Sequence, residues 1–311
     1  MELHKRALKN FKGNPEKTFF YSLTDSYNGE LCQKKILEYV NILENIKVKS
    51  VAISLKNSID WVLWYIASDY VCKHVYLVSS DFSNSLTNKI IQKYNIDLLI
   101  RLENGKISLH QPKDSPFSCY LNSTDRADII FTSGTTGIPK GAVISEKSFL
   151  HVSNELIKKT EQNMNDLELL SMPLDRSFGL ARLRTCLLSG SSCLITDGLK
   201  DFPSIYKFSK ENKITGISLV PSALQIIILQ LRKKSRIFTE NIRYFELGSS
   251  SLIEEQEEWI KNNFENTIIL HHYGMTESSR AFLKRLDIKK NLPKRFVGKP
   301  LNGVKFKINI K

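Results

Sequence analysis

Short apolar runs alternate with helical periodicity along most of the chain. In the first third of the sequence, apolar runs of strand length occupy 51–55, 74–78 and 97–101, and segments with helical spacing occupy 31–44, 59–68 and 86–94. In the first of these helices, Ile36, Val40 and Leu43 fall on one face. This rhythm predicts an α/β fold in which parallel strands are covered by helices.

A second series of predicted strands follows a polar connection. The connection covers residues 106–125 and contains Pro112 and Pro116. The strands of the second series are predicted at 129–132, 193–196, 217–220, 244–247 and 267–272. Because the ligands of open parallel sheets gather at the carboxyl ends of the strands, we expect the functional residues to lie there.

The composition is that of a folded protein with a sizeable core. Of the 311 residues, 41% are hydrophobic and 25% are charged. The formal net charge of +13 would suit a phosphate-rich partner, but lysines are spread over the whole length and no segment interleaves basic and aromatic residues. A solvated, lysine-rich surface is therefore the favoured interpretation, and no nucleic-acid partner is predicted.

Cysteine usage and hydropathy bear on the location of the protein. The five cysteines are odd in number and none belongs to a CxxC pair, which favours buried, reduced thiols and a cytoplasmic protein. The N-terminal residues lack the apolar core of a signal peptide. The most apolar stretches, 61–66 and 223–231, are too short to span a bilayer. No membrane span is predicted.

The sharpest motif lies directly behind the predicted strand 129–132. Residues 132–141 have the sequence Thr-Ser-Gly-Thr-Thr-Gly-Ile-Pro-Lys-Gly. The glycines allow a tight backbone with exposed N–H groups, and the hydroxyls and the ammonium group add donors for phosphate oxygens. A surface turn rich in Gly and Thr is the alternative, but it does not account for so many donors behind a buried strand.

This loop is not a Walker motif, because Pro139 stands where the second glycine is required and Gly141 follows Lys140. It resembles instead the phosphate loop of the adenylate-forming superfamily, which includes acyl-CoA synthetases, luciferases and the adenylation domains of peptide synthetases. The resemblance implies two stacked, mostly parallel sheets flanked by helices. It also implies that ATP is bound by Thr132, Ser133, Gly134, Thr135, Thr136, Gly137 and Lys140.

A second motif, Pro-Leu-Asp-Arg-Ser-Phe-Gly at 173–179, is similar to the substrate-pocket segment of that family. The implied pocket residues are Asp175, Arg176, Phe178, Gly179 and Met275. Acyl-activating members usually carry His at the place of Arg176, so the class of acid stays open. Asp175 would suit an amino group, Arg176 would suit a substrate carboxylate, and an ion pair between the two is the simpler alternative.

A small-residue turn, Gly-Ser-Ser-Ser-Leu at 248–252, resembles the segment of the family against which the adenine lies. The resemblance places Gly248, Ser249 and Ser250 beside the base. Ser251 and Glu254 are also spaced as a capping box for the following helix. Both interpretations can hold together.

The segment 272–277, His-Tyr-Gly-Met-Thr-Glu, is close to the Tyr-Gly-x-Thr-Glu motif of the family. By that resemblance Tyr273 and Gly274 contact the adenine, Thr276 binds the α-phosphate and Glu277 binds Mg²⁺. The residue types agree, since a hydroxyl donates to phosphate and a carboxylate suits a hard cation. With Lys140, Thr276 and Glu277 are the implied catalytic residues. His271 and His272 are expected to complete the strand rather than to bind metal.

Residues 297–304 resemble the segment that opens a small β-barrel in the family, and residues 304–311 alternate like a half-buried strand. The sequence thus predicts a first α/β subdomain at 1–125, a second with the ATP site at 126–290, and an incomplete barrel at 291–311. The family's ribose-binding Asp and the catalytic Lys of its small C-terminal domain have no counterpart in the sequence. A shortened chain, or a separate C-terminal chain that supplies these groups, is therefore expected.

The implied reaction joins a small carboxylic acid to AMP and releases pyrophosphate. Its catalysis consists mainly of positioning and charge stabilisation. ATP and Mg²⁺ are the implied cofactors, and CoA or a phosphopantetheine carrier protein is the candidate acceptor. The alternative is a nucleotide-binding subunit or pseudoenzyme that needs a separate C-terminal chain for turnover.

Overall fold

The protein is described from a computed structural model, which covers residues 2–112, 125–132, 137–231, 238–264, 266–288 and 296–307. The helices are α1 Leu3–Gly13, α2 Gly29–Ile46, α3 Ile59–Val71, α4 Asn84–Tyr94, α5 Glu146–Thr160, α6 Ser177–Ser189, α7 Phe202–Glu211, α8 Pro221–Leu231 and α9 Glu254–Asn263. The strands are β1 Thr18–Tyr21, β2 Ser26–Asn28, β3 Ser50–Ser54, β4 His74–Leu77, β5 Leu98–Glu103, β6 Lys106–His110, β7 Ala127–Thr132, β8 Lys140–Ser145, β9 Leu167–Leu170, β10 Ser192–Ile195, β11 Gly216–Leu219, β12 Tyr244–Leu247, β13 Ile268–Tyr273, β14 Phe282–Arg285 and β15 Lys299–Pro300.

The strands form two mostly parallel sheets. The six-stranded sheet has the order β6-β5-β3-β4-β7-β8, with antiparallel strands only at its two edges. The nine-stranded sheet has the order β15-β14-β13-β12-β11-β9-β10-β1-β2, and the strands from β13 to β1 are parallel. The predicted fold of two mostly parallel sheets flanked by helices is confirmed.

Buried helices fill the space between the sheets. The largest apolar cluster joins α1, α2, α3 and α6 to strands of both sheets. Nearly every residue of α3 and α6 is buried, so these two helices contact the rest of the protein on all sides. Separate clusters cover the outer faces, with α4 on the six-stranded sheet and α7, α8 and α9 on the nine-stranded sheet.

The division of the strands between the two sheets differs from the one predicted. The prediction that 129–132 belongs to the second series was wrong, because β7 pairs with β4. Conversely, β1 pairs with β10 and joins the nine-stranded sheet. The first part of the polar connection is not a bridge, because β6 forms an antiparallel hairpin with β5. The two sheets therefore do not divide at the proposed subdomain boundary of 125 and 126.

The predicted barrel strand is not seen in the described part of the C-terminal segment. Residues 304–307 form no strand, and β15 pairs with β14 at the edge of the nine-stranded sheet. Residues 308–311 lie outside the described residues.

Of the cysteines, Cys32, Cys72, Cys186 and Cys193 are buried free thiols, and Cys119 lies outside the described residues. Within the described ranges, no helix is both long and apolar enough to cross a bilayer.

Paired charges hold β7, the strand that leads into the phosphate loop. Asp128 on β7 is fully buried and accepts a hydrogen bond of 2.6 Å from the Tyr65 hydroxyl. Arg184 on α6 donates to the same carboxylate, and Arg126 pairs with both Asp128 and Asp69, at 2.6 and 2.7 Å. A buried carboxylate is tolerated only when it is paired in this way.

Candidate active site

The phosphate loop connects two antiparallel strands. Thr132, the last residue of β7, pairs with Lys140, the first residue of β8, and the Thr132 hydroxyl donates to the Lys140 carbonyl at 3.3 Å. Gly137 has a φ of 86°, which favours glycine. The Gly141 N–H donates to the Tyr94 hydroxyl at 3.0 Å. The remaining predicted loop residues lie outside the described part of the chain, and these are Ser133, Gly134, Thr135 and Thr136.

The substrate-pocket motif lies between β9 and α6. Asn57 holds its start: the side-chain amide donates to the carbonyls of Met172 and Thr196 at 2.9 and 3.0 Å, and its oxygen accepts from the Leu174 N–H at 2.9 Å. Arg176 donates to the carbonyl of Phe131 at 3.0 Å. The motif is thus tied to the residue directly before Thr132.

Asp175 and Arg176 differ in exposure. The Asp175 side chain is 11% exposed and that of Arg176 is 45% exposed, and their nearest charged atoms are 3.9 Å apart. Burial raises the pKa of Asp175 from its ordinary value, and Arg176 opposes this effect. The ion pair considered from the sequence is therefore present but long. Arg176 donates to the Phe131 carbonyl, and Asp175 lines a cavity that is described below.

Phe178 and Gly179 are the buried end of the motif and pack against other parts of the protein. Both are buried in the first turn of α6, and the Phe178 ring meets the His272 ring edge-on at 4.6 Å. A side chain at Gly179 would come within 2.3 Å of the Pro173 carbonyl oxygen. These two residues are packed inside the protein and line neither of the two cavities at the site.

Thr276 and Glu277 occupy the centre of a turn that follows β13. The Ser278 N–H donates to the Met275 carbonyl at 3.1 Å, which closes the turn. A side chain on Gly274 would overlap the Ser279 carbonyl, and Ser279 itself has a φ of 51°. The chain therefore folds back sharply here. It leaves Glu277 and Met275 exposed, with Met275 at 60%.

A cavity of about 490 Å³ lies at the carboxyl ends of β12 and β13. Its walls include the predicted adenine residues Ser249, Ser250, Tyr273 and Gly274. Tyr273 is 56% exposed, so its ring is accessible to a ligand. Gly248, just before this wall, packs closely against His272, since a Cβ there would come within 1.9 Å of the His272 ring. The structure thus brings both predicted adenine segments to one cavity.

The capping-box prediction for this turn was wrong. Helix α9 begins at Glu254, and its N-cap is Ile253 rather than Ser251. The Gln256 side chain accepts a hydrogen bond from the Ile253 N–H at 3.3 Å. Ser251 is therefore left in the wall of the cavity, and Ser249 adopts a φ of 73° that non-glycine residues seldom adopt.

A second cavity, of about 650 Å³, lies between the two sheets. It is formed at the carboxyl ends of β3, β4, β9, β10 and β11 together with α8. Its charged walls carry both signs and consist of Lys56, Asp81, Asp175, Arg176, Asp197 and Lys200. Apolar contributions come from Leu55, Met172, Val220 and Ile226. Met275 lines neither cavity.

Sequence reasoning missed a buried polar cluster beneath the site. Glu246 on β12 is fully buried and accepts hydrogen bonds of 2.9 and 3.4 Å from Arg280, while Nδ1 of His272 lies 2.8 Å away. Arg182 pairs with Glu246 at 3.5 Å and with Glu168 at 2.6 Å. The signal was available, since a Glu interrupts each of the apolar strands β9 and β12. As predicted, His272 completes its strand.

Burial alone would raise the pKa of Glu246, but Arg280, His272 and Arg182 outweigh it and lower the pKa well below its ordinary value. Burial also lowers the pKa of His272. Glu246 is therefore ionised and His272 neutral near pH 7, and the Glu246 carboxylate lies between the guanidinium groups of Arg280 and Arg182.

The sequence model of one family, AMP-binding enzyme, matches residues 9–309. The chain belongs to the AMP-binding enzyme family. Among its relatives, 4-coumarate–CoA ligase-like 9 of Arabidopsis thaliana is 28% identical over 169 residues, or 53% of the chain and 30% of that protein. Bacitracin synthase 3 of Bacillus licheniformis is 27% identical over 172 residues, or 53% of the chain and 3% of that protein. The matched region spans less than a third of either relative.

Solved structures show the same fold. VinN, in its complex with L-aspartate, superposes with a TM-score of 0.81 at 15% identity, over 97% of this chain and 83% of VinN. The identity is too low to transfer more than the fold.

The residues present fit Mg²⁺ held together with a nucleotide. Among the described residues, no group of three or more His, Cys, Asp or Glu side chains could hold a metal ion unaided. Glu277 is exposed and takes part in none of the ion pairs of the described ranges. One available carboxylate suits Mg²⁺, which usually keeps water and phosphate oxygens as its other ligands.

Proposed function

We propose that this AMP-binding enzyme joins a small carboxylic acid to the α-phosphate of ATP and releases pyrophosphate. One observation carries the proposal: the base of the phosphate loop and the turn of Thr276 and Glu277 are both tied to the substrate-pocket motif. Arg176 connects the motif to Phe131 at 3.0 Å, and Arg280 connects it to the turn through the carbonyl of Ser177, also at 3.0 Å. This arrangement suits a single triphosphate between the two segments.

Each segment has a proposed role. Lys140 and the loop hydroxyls would stabilise the pyrophosphate as it leaves, and Thr276 would donate to the α-phosphate. Mg²⁺ bound at Glu277 would neutralise part of the phosphate charge. The substrate carboxylate attacks phosphorus in line with the departing oxygen, and no nucleophilic side chain is needed.

The second cavity supports a small, polar acid. Its walls carry charges of both signs, and the Asp175 carboxylate, which is mostly buried, offers a partner for an ammonium group. One of the VinN structures is a complex with L-aspartate, an amino acid. We therefore propose an amino-group-bearing acid that enters this cavity, followed by transfer to CoA or to a phosphopantetheine carrier protein in the cytoplasm.

The experiment is ATP–pyrophosphate exchange with purified protein, Mg²⁺ and a panel of amino, aryl and aliphatic acids. The proposal predicts exchange that requires an acid and is fastest with amino acids. Exchange with aryl or aliphatic acids alone would reject the proposed acid class. If ATP binds but no acid supports exchange, even with a complementing C-terminal domain, the nucleotide-binding subunit or pseudoenzyme becomes the better interpretation.

A further inference from the structure

Arg280 lies beneath the candidate active site and contacts two other segments of the chain. It is only 1% exposed and follows Glu277 by three residues. Its Nε donates to Glu246 at 2.9 Å, whereas its two terminal nitrogens donate to the carbonyls of Ser177 and Phe178 at 3.0 and 3.1 Å. The guanidinium group also lies 4.8 Å from the centre of the Phe178 ring.

These contacts match the geometry of a guanidinium group. Its N–H groups point outward in a fixed plane, so the group can bind several acceptors only if they are held at matching positions. Two of the acceptors are backbone carbonyls of the motif that carries Asp175, and the third is the carboxylate of β12. A lysine at this position would offer one ammonium group on a flexible stem and could not bind all three acceptors in the same way.

The path through Arg280 runs from the nucleotide side to the acid side. Thr276 and Glu277 lie in the turn immediately before it, while Ser177 directly follows Asp175 and Arg176. Glu246 fixes the centre of the connection, because it lies in a strand bordered by β11 and β13. A displacement of Arg280 would therefore move the two sides relative to each other.

We propose that Arg280 is a positioning residue that sets the distance between the Thr276–Glu277 turn and the Asp175 segment. It reaches neither cavity and so acts on the reaction only through these segments. This inference rests on the proposed function for its kinetic consequence, but its structural consequence can be measured in the protein without substrates.

The structural test is hydrogen exchange of the unliganded chain, followed by mass spectrometry. In Arg280→Met, we expect peptides from 173–180 and from 274–281 to exchange about tenfold faster or more, because the same connection holds both. Arg243→Met is the control, since Arg243 pairs with Asp166 at the amino ends of β12 and β9 and lines neither cavity. The control should leave both peptides unchanged. Unchanged exchange in Arg280→Met, or a uniform increase along the chain, would overturn the inference.

The kinetic test compares Arg280→Lys with Arg243→Lys in pyrophosphate exchange. Misplaced reacting groups slow the chemical step more than they weaken binding, so Arg280→Lys should lower kcat about tenfold to a hundredfold and change the KM for ATP less than about threefold. Arg243→Lys should leave both constants near those of the wild type. Equal losses in the two variants would reject a positioning role.

The two tests separate this inference from the proposed function. A wild-type protein without exchange activity, in which Arg280→Met still loosens both peptides and Arg243→Met does not, would reject the proposed reaction and support the structural connection. An active wild-type protein whose Arg280→Met variant shows neither change would support the reaction and reject the role of Arg280.

Discussion

The two cavities of the candidate active site are built in different ways. The cavity proposed for the nucleotide is formed largely by two continuous segments, 249–252 and 271–274, at the ends of neighbouring strands. The acid cavity is formed by short contributions from five strand ends in two sheets. The first is lined mainly by serines and rings and has one charge of each sign, Glu257 and Lys284, whereas the second has six charged side chains.

This difference suggests that base recognition is common to proteins with this kind of site, whereas acid recognition is particular to this chain. A flat base that contacts backbone requires small residues at fixed positions, so its segments keep a recognisable sequence. An acid that contacts side chains can be accommodated by many combinations. We therefore expect substitutions around the nucleotide to affect the reaction with every acid, and substitutions in the other cavity to change which acid is preferred.

The largest effect on the exchange rate is expected for Glu277→Gln. If this variant changed only the preference among acids, the proposed difference between the two cavities would be wrong. Loss of a charged ligand to Mg²⁺ removes stabilisation of the developing phosphate charge, so exchange should fall about 100-fold or more with every acid. Exchange rates across the acid panel provide the measurement. Glu258→Gln, at an exposed position of α9, is the control and should be silent.

An intermediate effect is expected for Gly248→Ala. The added methyl group would meet the His272 ring at 1.9 Å, and His272 in turn lies beside Glu246, so the neighbours must shift. We expect the free energy of unfolding to fall by about 1–3 kcal/mol, with weaker binding of ATP. Urea unfolding and calorimetric titration measure these quantities. Gly13→Ala is the matched control, because no heavy atom lies within 4 Å of its added Cβ. Equal stability in the two variants would contradict the proposed contact.

The smallest effect on stability is expected for Asp175→Asn. This variant also tests whether the second cavity determines the preference among acids. Burial raises the pKa of Asp175 above its ordinary 3.8, so the folded state binds this proton more tightly than the unfolded state does. At pH values above the ordinary pKa, the unfolded state therefore loses this proton more readily than the folded state, and this difference favours unfolding. The neutral variant should therefore gain on the order of 0.5 kcal/mol at pH 7 and less at pH 4, as urea unfolding would measure.

The same variant tests the acid cavity. Asp175→Asn should reduce exchange with amino acids and spare exchange with acids that lack an amino group, while the affinity for ATP stays near that of the wild type. A uniform loss with all acids would place Asp175 on the nucleotide side instead.

Much of the fold could be predicted because its elements have clear periodicity. Helix α2 buries Ile36, Val40 and Leu43 as predicted, and β12 has the predicted bounds. The sharing of strands could not be predicted, because apolar strands such as β7 carry no local signal of their sheet. Sequence order suggested one sheet, whereas pairing with β4 placed β7 in the other.

The candidate site was predicted in the same uneven way. Contiguous motifs identified Ser249, Ser250, Tyr273 and Gly274, which line one cavity. The roles of the site residues remain predictions. Arg280 and Asn57 were missed because their function depends on distant acceptors, the carbonyls of Ser177 and Met172 among them, and a single Arg or Asn in a sequence does not reveal its partners.

The most direct test of the account is a crystal structure with Mg²⁺ and a non-hydrolysable ATP analogue. The account predicts the adenine in the cavity between Ser250 and Tyr273, with the triphosphate passing Thr276 and ending at Lys140. An analogue bound away from these groups, or with its phosphates contacting only one of the two segments, would contradict it.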